Sequence, residues 1–195
     1  ELERSYDRSL FSHWLDLDDD GCNAREEVLL AESLIPITLG PDCDLTGGLW
    51  VSVYDSIQTA DPSEFDIDHF IPLAEAWASG AADWDSDTRM RFANDLDYSM
   101  SLIAVSASSN RSRGASDPAE WLPENPDYRC EYVFNWVNVK YRWDLSIDPG
   151  EKEAIEELWR PCSVEELDSP VIATRAEINK SATGSATTES GSDVG

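Results

Sequence analysis

The chain has 195 residues, of which 40 are acidic and 14 basic, so its formal net charge at pH 7 is −26. Such a charge argues against a protein that binds polyanions through its whole surface, but it suits a halophilic protein, because high salt screens charge repulsion. The length allows one domain with a real core, to which eight tryptophans contribute. No run approaches the ~20 apolar residues of a membrane span. We therefore expect no membrane partner. We also expect a monomer.

Two amphipathic helices are predicted near the N-terminus, one over residues 5–15 and one over residues 24–33, with an acidic loop between them. The spacing in that loop, residues 16–27, is that of an EF-hand calcium loop. Its expected ligands are Asp16, Asp18, Asp20, the backbone carbonyl of Cys22, and Glu27. The alternative is a solvated acidic turn in a chain rich in aspartate.

The four cysteines, Cys22, Cys43, Cys130 and Cys162, form no C-x-x-C pair, which argues against zinc and thioredoxin-like sites. They fit an oxidised, secreted protein. Four cysteines allow three pairings. We favour Cys22 with Cys43 and Cys130 with Cys162, because each pair brackets one local segment.

The middle of the chain predicts strand, helices, strand and helix in that order. Residues 49–54 alternate as a strand does, and "EFDIDHFIPL" is a second strand candidate. Residues 73–96 are expected to form two helices broken near Gly80. "SLIAV" then forms a buried strand, and Ser108 and Ser109 cap a helix that carries Asn110.

Side chains at the ends of both strands are of types that serve catalysis and metal binding. Asp68 and His69 follow each other at the end of the first, but neighbouring strand residues face opposite ways, so they share a site only if the strand ends or kinks there, as Pro72 would allow. Asn110 can bind a hard cation, and Arg111 can hold a phosphate. The structural alternatives are a buried Asp–His pair and an ordinary capped helix.

Beyond residue 114, "WVNVKYRW" and "EKEAIEELW" predict a closing strand and helix, which bring Trp136, Trp143 and Trp159 over the core. The tryptophans are explained as core residues, although they could stack on nucleic-acid bases. Residues 168–195 are rich in Ser, Thr, Gly and Ala and are expected to be a disordered tail.

Five stretches occur in the order found in secreted bacterial nucleases of the HNH family, which the chain resembles over residues 5–165. They are "DHFIPLAEAW", "FANDL", "AVSASSNRSRG", "DPAEWLP" and "WVNVKYRWDL". The resemblance implies an α+β fold with a ββα-metal core over residues 64–114, inside a single nuclease domain spanning residues 1–167.

The same resemblance implies the roles of individual residues. His69 matches the general base, and Asp68 and Asn110 match the ligands of a catalytic Mg²⁺ or Mn²⁺. Asn94 matches a residue common in these nucleases, and its alternative roles are to orient the base, to replace the missing HNH asparagine, or to cap a turn. The central asparagine of many HNH motifs is replaced by Ser101.

The expected activity is metal-dependent, non-specific endonuclease cleavage of DNA, with RNA as a further substrate. Seven basic residues are expected to form a basic strip for the nucleic acid, the alternative being ordinary ion pairs. They are Arg89, Arg91, Arg111, Arg113, Arg129, Lys140 and Arg142. The rival function is a calcium-stabilised extracellular binding or adhesion module with a degenerate nuclease site.

Overall fold

The computed structural model describes residues 5–163 of the chain. Within them, six short strands pair into three two-stranded antiparallel sheets. The strands are β1 (Ile37–Leu39), β2 (Leu45–Gly47), β3 (Trp50–Val51), β4 (Gln58–Thr59), β5 (Phe65–His69) and β6 (Leu102–Ser106). The helices are α1 (Ala24–Glu32), α2 (Leu73–Ala78), α3 (Ser86–Ala93), α4 (Ala107–Arg113), α5 (Arg129–Trp143) and α6 (Pro149–Trp159). The fold is of the α+β class.

The sheet of β5 and β6 lies between two apolar clusters. The strands pair from Phe65 opposite Ser106 to His69 opposite Leu102. Phe65 and Ile67 face a smaller cluster that includes residues of α1 and Trp50. Ile103 and Val105 of β6 face the main core on the other side. Because both faces are covered, all five residues of β6 are buried, as its apolar sequence predicts.

Helix α4 follows β6 without a loop and packs on both strands of this sheet. Its N-cap is Ser106, whose Oγ accepts a hydrogen bond from the backbone N–H of Ser109. The caps expected at Ser108 and Ser109 are therefore misplaced by two to three residues, because the helix begins directly at the end of the strand. This order brings α4 back across β5.

The predicted closing strand around Trp136 is wrong, since these residues lie in the fifteen-residue helix α5. Its buried apolar residues recur at helical spacing, through Tyr132, Trp136, Val139 and Trp143. The β-formers in the segment suggested a strand, but burial of one helix face against the main core prevails over that propensity. The closing helix is found as α6.

Two further elements near the N-terminal half differ from prediction. Residues 5–15 form no α-helix, only a 3₁₀ turn at Arg8–Leu10, and Trp14 has a left-handed φ of 58° that would break a helix. The strand expected over residues 49–54 is limited to β3, after which the chain turns and buries Tyr54 in the core. The break near Gly80 is confirmed, with a φ of 133° at that glycine.

The favoured disulfide pairing is confirmed. Cys22 bonds to Cys43 and Cys130 to Cys162, with Cα atoms 5.2 and 5.7 Å apart respectively. The predicted tail at residues 168–195 lies outside the described residues. None of the helices in residues 5–163 has both the length and the hydropathy that crossing a bilayer requires.

Candidate functional site

His69 ends β5 as a buried residue with a fixed orientation. Only 6% of its surface is exposed, and its Nε2 lies 3.0 Å from the backbone carbonyl oxygen of Ala93 at the end of α3. A carbonyl can only accept a hydrogen bond, so Nε2 carries the proton and donates it. Nδ1 is then the nitrogen with a free lone pair, and it has no hydrogen-bond partner within residues 5–163. This is the tautomer in which an imidazole can accept a proton at Nδ1.

Aromatic rings surround His69 on this face. The Trp14 ring centroid is 5.2 Å from that of His69, with the planes tilted by 37°. Burial lowers the pKa of His69 to about 3, although the hydrogen bond to Ala93 opposes that shift. The imidazole is therefore neutral at neutral pH, as a general base must be, although a pKa this far below neutrality makes it a weaker base than an exposed histidine.

Asn94 holds the N-terminal segment against α3. Its amide nitrogen donates to the carbonyl oxygens of Ser12 (2.8 Å) and Met90 (2.7 Å), and its Oδ1 accepts from the backbone N–H of Leu15 (2.9 Å). The residue is buried and directly follows Ala93, whose carbonyl binds His69. Asn94 thus touches both the segment that carries Trp14 and the end of the helix that orients the imidazole.

Asn110 contacts Asp66 on the other face of β5. The Nδ2 of Asn110 lies 3.2 Å from the Oδ2 of Asp66, and the Nε of Arg111 lies 3.5 Å from the same oxygen. The Asp66 side chain is 30% exposed and that of Arg111 is 75% exposed. Because Nδ2 points at Asp66, the Oδ1 of Asn110 is left as an acceptor beside a carboxylate. The sequence interpretation did not select Asp66 as a ligand.

Asp68 is engaged in a buried ion pair. Its Oδ2 accepts hydrogen bonds from the hydroxyl of Tyr54 (2.8 Å) and from the Nη1 of Arg113. Arg113 is 1% exposed and also donates to the carbonyl of Phe70. Burial raises the pKa of Asp68, while the Arg113 cation opposes that rise. Arg113 thus already neutralises the Asp68 carboxylate.

The structure does not bring Asp68 and His69 onto one face of the sheet. Pairing continues through His69 to Phe70, whose backbone N–H donates to the carbonyl of Ser101 at 3.0 Å. Strand β5 does end at His69, as expected, but this end does not turn the two side chains to one face, and they alternate as in any regular strand. His69 faces the side of Trp14, and Asp66 and Asp68 face α4.

Ser101 belongs to a different network. Its Oγ donates to the Oδ2 of Asp95 at 2.6 Å, and Asp95 binds the Arg142 guanidinium through both carboxylate oxygens. The serine at the place of the usual HNH asparagine is therefore a buried structural residue.

The predicted basic strip is wrong for several of its seven members. Arg113, Lys140 and Arg142 are each 1% exposed and pair with buried or half-buried carboxylates. Arg91 pairs with Asp87 one helical turn away. Such buried cations are held by internal carboxylates and cannot reach a nucleic acid. Arg111 is the member whose exposure leaves it available to a phosphate.

The acidic loop brings its carboxylates together. Carboxylate oxygens of Asp16, Asp18 and Asp20 lie within 4.8 Å of one another, and so do carboxylate oxygens of Asp20 and Glu27 and the Sγ of Cys22, which is bonded to Cys43 and is not itself a ligand. The pKa of Glu27 is raised by burial and then by the nearby charges of Asp20, Asp18 and Asp16. A divalent cation would relieve this repulsion.

The acidic loop has the glycine turn and the following helix of an EF-hand, but it lacks the preceding helix. The backbone N–H of Gly21, with a φ of 97°, donates to the Oδ2 of Asp16 at 3.0 Å. Helix α1 follows the loop and carries Glu27. The helix expected before the loop is missing from residues 5–15, so a helix–loop–helix arrangement is not formed.

Residues 45–157 match the family described as GmrSD restriction endonucleases, C-terminal domain. The chain belongs to this family. The match includes β5, β6 and α4 with His69, Asn94 and Asn110, and it excludes the acidic loop. Membership places the protein in a nuclease family.

The chain is also similar to a fungal protein. It is 38% identical to an uncharacterized secreted protein of Arthroderma benhamiae over 157 residues. This aligned region covers 80% of this chain and 76% of that protein. No solved structure matches the chain. With two disulfides and a secreted relative, the GmrSD-family protein described here is a secreted protein. The bacterial source suggested by the resemblance stays a prediction.

Proposed function

We propose that the protein is a secreted, metal-dependent endonuclease of the ββα-metal (HNH) type that hydrolyses phosphodiester bonds of DNA without sequence specificity, with RNA as a second substrate to be tested. The observation that supports this most is the state of His69. Its Nε2 is committed to Ala93, its Nδ1 is free, and it ends a strand pair on which α4 packs. Membership in a restriction-endonuclease family agrees with this proposal.

In the proposed reaction, the Nδ1 of His69 takes a proton from the attacking water. The hydrogen bond to Ala93 keeps the imidazole in the required tautomer and orientation, so no rearrangement is needed before the transfer. Asn94 contributes by fixing the end of α3 and the segment that covers the ring. Arg111, exposed beside Asp66, is proposed to hold a phosphate oxygen.

The proposed metal ligands are Asn110 and Asp68, to which we add Asp66. The amide oxygen of Asn110 and the carboxylate of Asp66 fit a hard divalent ion, because they are adjacent, partly exposed oxygen donors. Asp68 fits less well, since its Oδ2 is already bound by Tyr54 and Arg113. Mg²⁺, or Mn²⁺, would supply charge stabilisation for the phosphate in the transition state.

The two halves of the site lie on opposite faces of β5, and this constrains the proposal. Strand β5 pairs only with β6 among the described strands, so its other edge is not hydrogen-bonded to a strand. A phosphodiester that uses both His69 and Asn110 would have to reach around that edge, where Arg25 and Arg113 donate to the carbonyl oxygens of Phe65 and His69.

We further propose that the acidic loop binds Ca²⁺ as a structural ion, through Asp16, Asp18, Asp20, the carbonyl of Cys22, and Glu27. The clustering of its oxygens and the raised pKa of Glu27 support this. The loop lies outside the matched nuclease region, which agrees with a role separate from cleavage.

The alternative function is a calcium-stabilised extracellular binding module with a degenerate nuclease site. The observation that favours it is the Asp68–Arg113 pair, because a buried arginine occupies the place of a cation at the expected ligand. Cleavage distinguishes the two functions, since the binding module would have none.

The deciding experiment incubates supercoiled plasmid, and separately RNA, with the protein and millimolar Mg²⁺, with and without EDTA. The endonuclease proposal predicts nicking that EDTA abolishes, and no nicking at any divalent-ion concentration supports the binding module.

Ligand variants then define the metal site. Asn110→Ala should raise the Mg²⁺ concentration needed for half-maximal cleavage. A carboxylate that binds the metal should show the same effect when it is changed to Asn. Asp66→Asn and Asp68→Asn are compared for this purpose, with the exposed Asp127→Asn as a matched control. If none of the three site variants changes the Mg²⁺ requirement, the proposed ligand set is wrong.

A further inference from the structure

The second histidine of the chain lies beside the first. His13 and His69 have ring centroids 6.0 Å apart with an interplanar angle of 79°, and His13 also contacts Trp14 at 5.3 Å. His13 lies outside the family match, which begins at residue 45, so that match assigns it no role. No local pattern connects two histidines so far apart in the chain.

The two imidazoles differ in which ring nitrogen is bound to a backbone carbonyl. The Nδ1 of His13 lies 2.7 Å from the carbonyl oxygen of Phe11 and therefore donates to it. Its Nε2 has no hydrogen-bond partner among residues 5–163, just as the Nδ1 of His69 has none. Each ring is thus oriented by one backbone carbonyl and keeps one nitrogen available for proton transfer.

The segment that carries His13 is held in a specific shape. Asn94 binds the carbonyl of Ser12 and the N–H of Leu15, the residues on either side of His13 and Trp14. Trp14 adopts a φ of 58°, which a bulky side chain rarely does. Backbone strain of this kind persists only where the surroundings fix it, and it is concentrated at functional sites. The half-buried His13 is therefore placed beside His69 rather than free to move.

We propose that His13 is a catalytic residue, the general acid that protonates the leaving oxygen of the cleaved phosphodiester. This inference rests on the proposed nuclease function. As the water oxygen bonds to phosphorus, the water proton passes to the Nδ1 of His69. His13 acts in its imidazolium form, with a proton on each nitrogen: as the bond from phosphorus to the leaving oxygen breaks, the Nε2 proton passes to that oxygen and the neutral ring keeps its Nδ1–H on the Phe11 carbonyl. Proton exchange of both rings with solvent restores the starting states.

The chemistry explains why two histidines are useful here. Hydrolysis of a phosphodiester needs one proton removed from water and one delivered to an alkoxide; a neutral imidazole can accept the first and an imidazolium can donate the second. The proposed metal ligands lie on the opposite face of β5. A proton donor on the His69 face would therefore stabilise the leaving oxygen independently of the ion.

The test compares two leaving groups in the same DNA context. One oligonucleotide has a normal linkage, and the other carries a single bridging sulfur in place of the leaving oxygen. A thiol has a pKa of about 8.5, so its thiolate leaves without a proton. Single-turnover rates are measured with Mn²⁺ for wild type, His13→Ala, His13→Gln and His69→Ala, and melting temperatures verify that each variant is folded.

Both His13 variants should lower cleavage of the normal linkage by roughly 10²- to 10⁴-fold, and of the sulfur linkage by less than about 10-fold. His69→Ala should lower both. Equal losses on the two linkages for both His13 variants, or no loss on either, would overturn the role of His13. If His69→Ala also leaves both rates unchanged, the proposed base itself is wrong, and that result is distinct from the failure of His13 alone.

Discussion

Glu32 should make the stability of the protein depend on pH between about 4.5 and 7. Its Oε2 accepts a hydrogen bond of 3.0 Å from the backbone N–H of Ala104, which links the end of α1 to β6. Burial raises the pKa of Glu32 from 4.5 to about 7, and the hydrogen bond from Ala104 opposes part of that rise. The folded state therefore binds this proton more tightly than the unfolded state does.

The direction of the effect follows from proton linkage. Between the two pKa values the folded state holds more protons than the unfolded state, so the free energy of unfolding falls as pH rises through this range. A pKa difference of about 2.5 corresponds to an upper limit of roughly 3 kcal/mol. Glu32→Gln keeps an oxygen acceptor for Ala104 but cannot ionise. The variant should thus resemble wild type near pH 4 and be more stable near pH 8.

Urea unfolding at several values of pH from 4 to 8.5 measures this effect. The difference between Glu32→Gln and wild type should grow by about 1 to 3 kcal/mol across the range, with most of the change between pH 4.5 and 7. Glu153→Gln, at an exposed position of α6, removes one negative charge without burial and controls for the net charge. A difference that stays constant with pH would refute the reasoning about Glu32.

Three other predictions concern the calcium loop, salt and the buried ion pair. Glu27→Gln should abolish a calcium-dependent rise of a few degrees in melting temperature while Mg²⁺-supported cleavage stays near wild type; a retained shift would place calcium elsewhere. Cleavage should reach its maximum at elevated salt rather than at the lowest salt, because the net charge of −26 repels the substrate and three strip cations are buried; a steady decline from low salt would contradict this. Arg113→Met should destabilise the fold by roughly 3 to 5 kcal/mol in urea, since it leaves the buried Asp68 carboxylate with only the Tyr54 hydroxyl and no cation, and a loss below about 1 kcal/mol would show that the pair is not needed.

Features that depend on nearby residues, or on one residue alone, could be predicted from the sequence. The buried strand at residues 102–106, the break at Gly80 and both disulfides agree with the sequence interpretation. Each is determined by residues close together in the chain or by a conformational requirement of a single residue. The helix at residues 129–143 was missed because its β-branched and aromatic residues have a strand propensity that tertiary packing overrides.

The candidate site depends on contacts that no local pattern contains. Alternation along a regular strand could have predicted that Asp68 and His69 face opposite sides, but not that a backbone hydrogen bond from Phe70 to Ser101 extends the pairing by one residue. The contact of His13 with His69 and the hydrogen bonds of Asn94 join segments that lie up to about eighty residues apart in the chain. Only the folded backbone shows these contacts. The burial of Arg113 likewise depends on three aromatic rings around its guanidinium, those of Tyr54, Tyr132 and Trp136.

The proposed reaction depends above all on His69 as the general base of a phosphodiester hydrolase. The most direct measurement is the single-turnover rate of DNA cleavage by His69→Ala at saturating Mg²⁺, beside wild type, with matched melting temperatures. We predict a loss of roughly 10²- to 10⁴-fold in the rate, the amount that a positioned general base contributes. A folded His69→Ala protein that cleaves DNA at the wild-type rate would contradict the account.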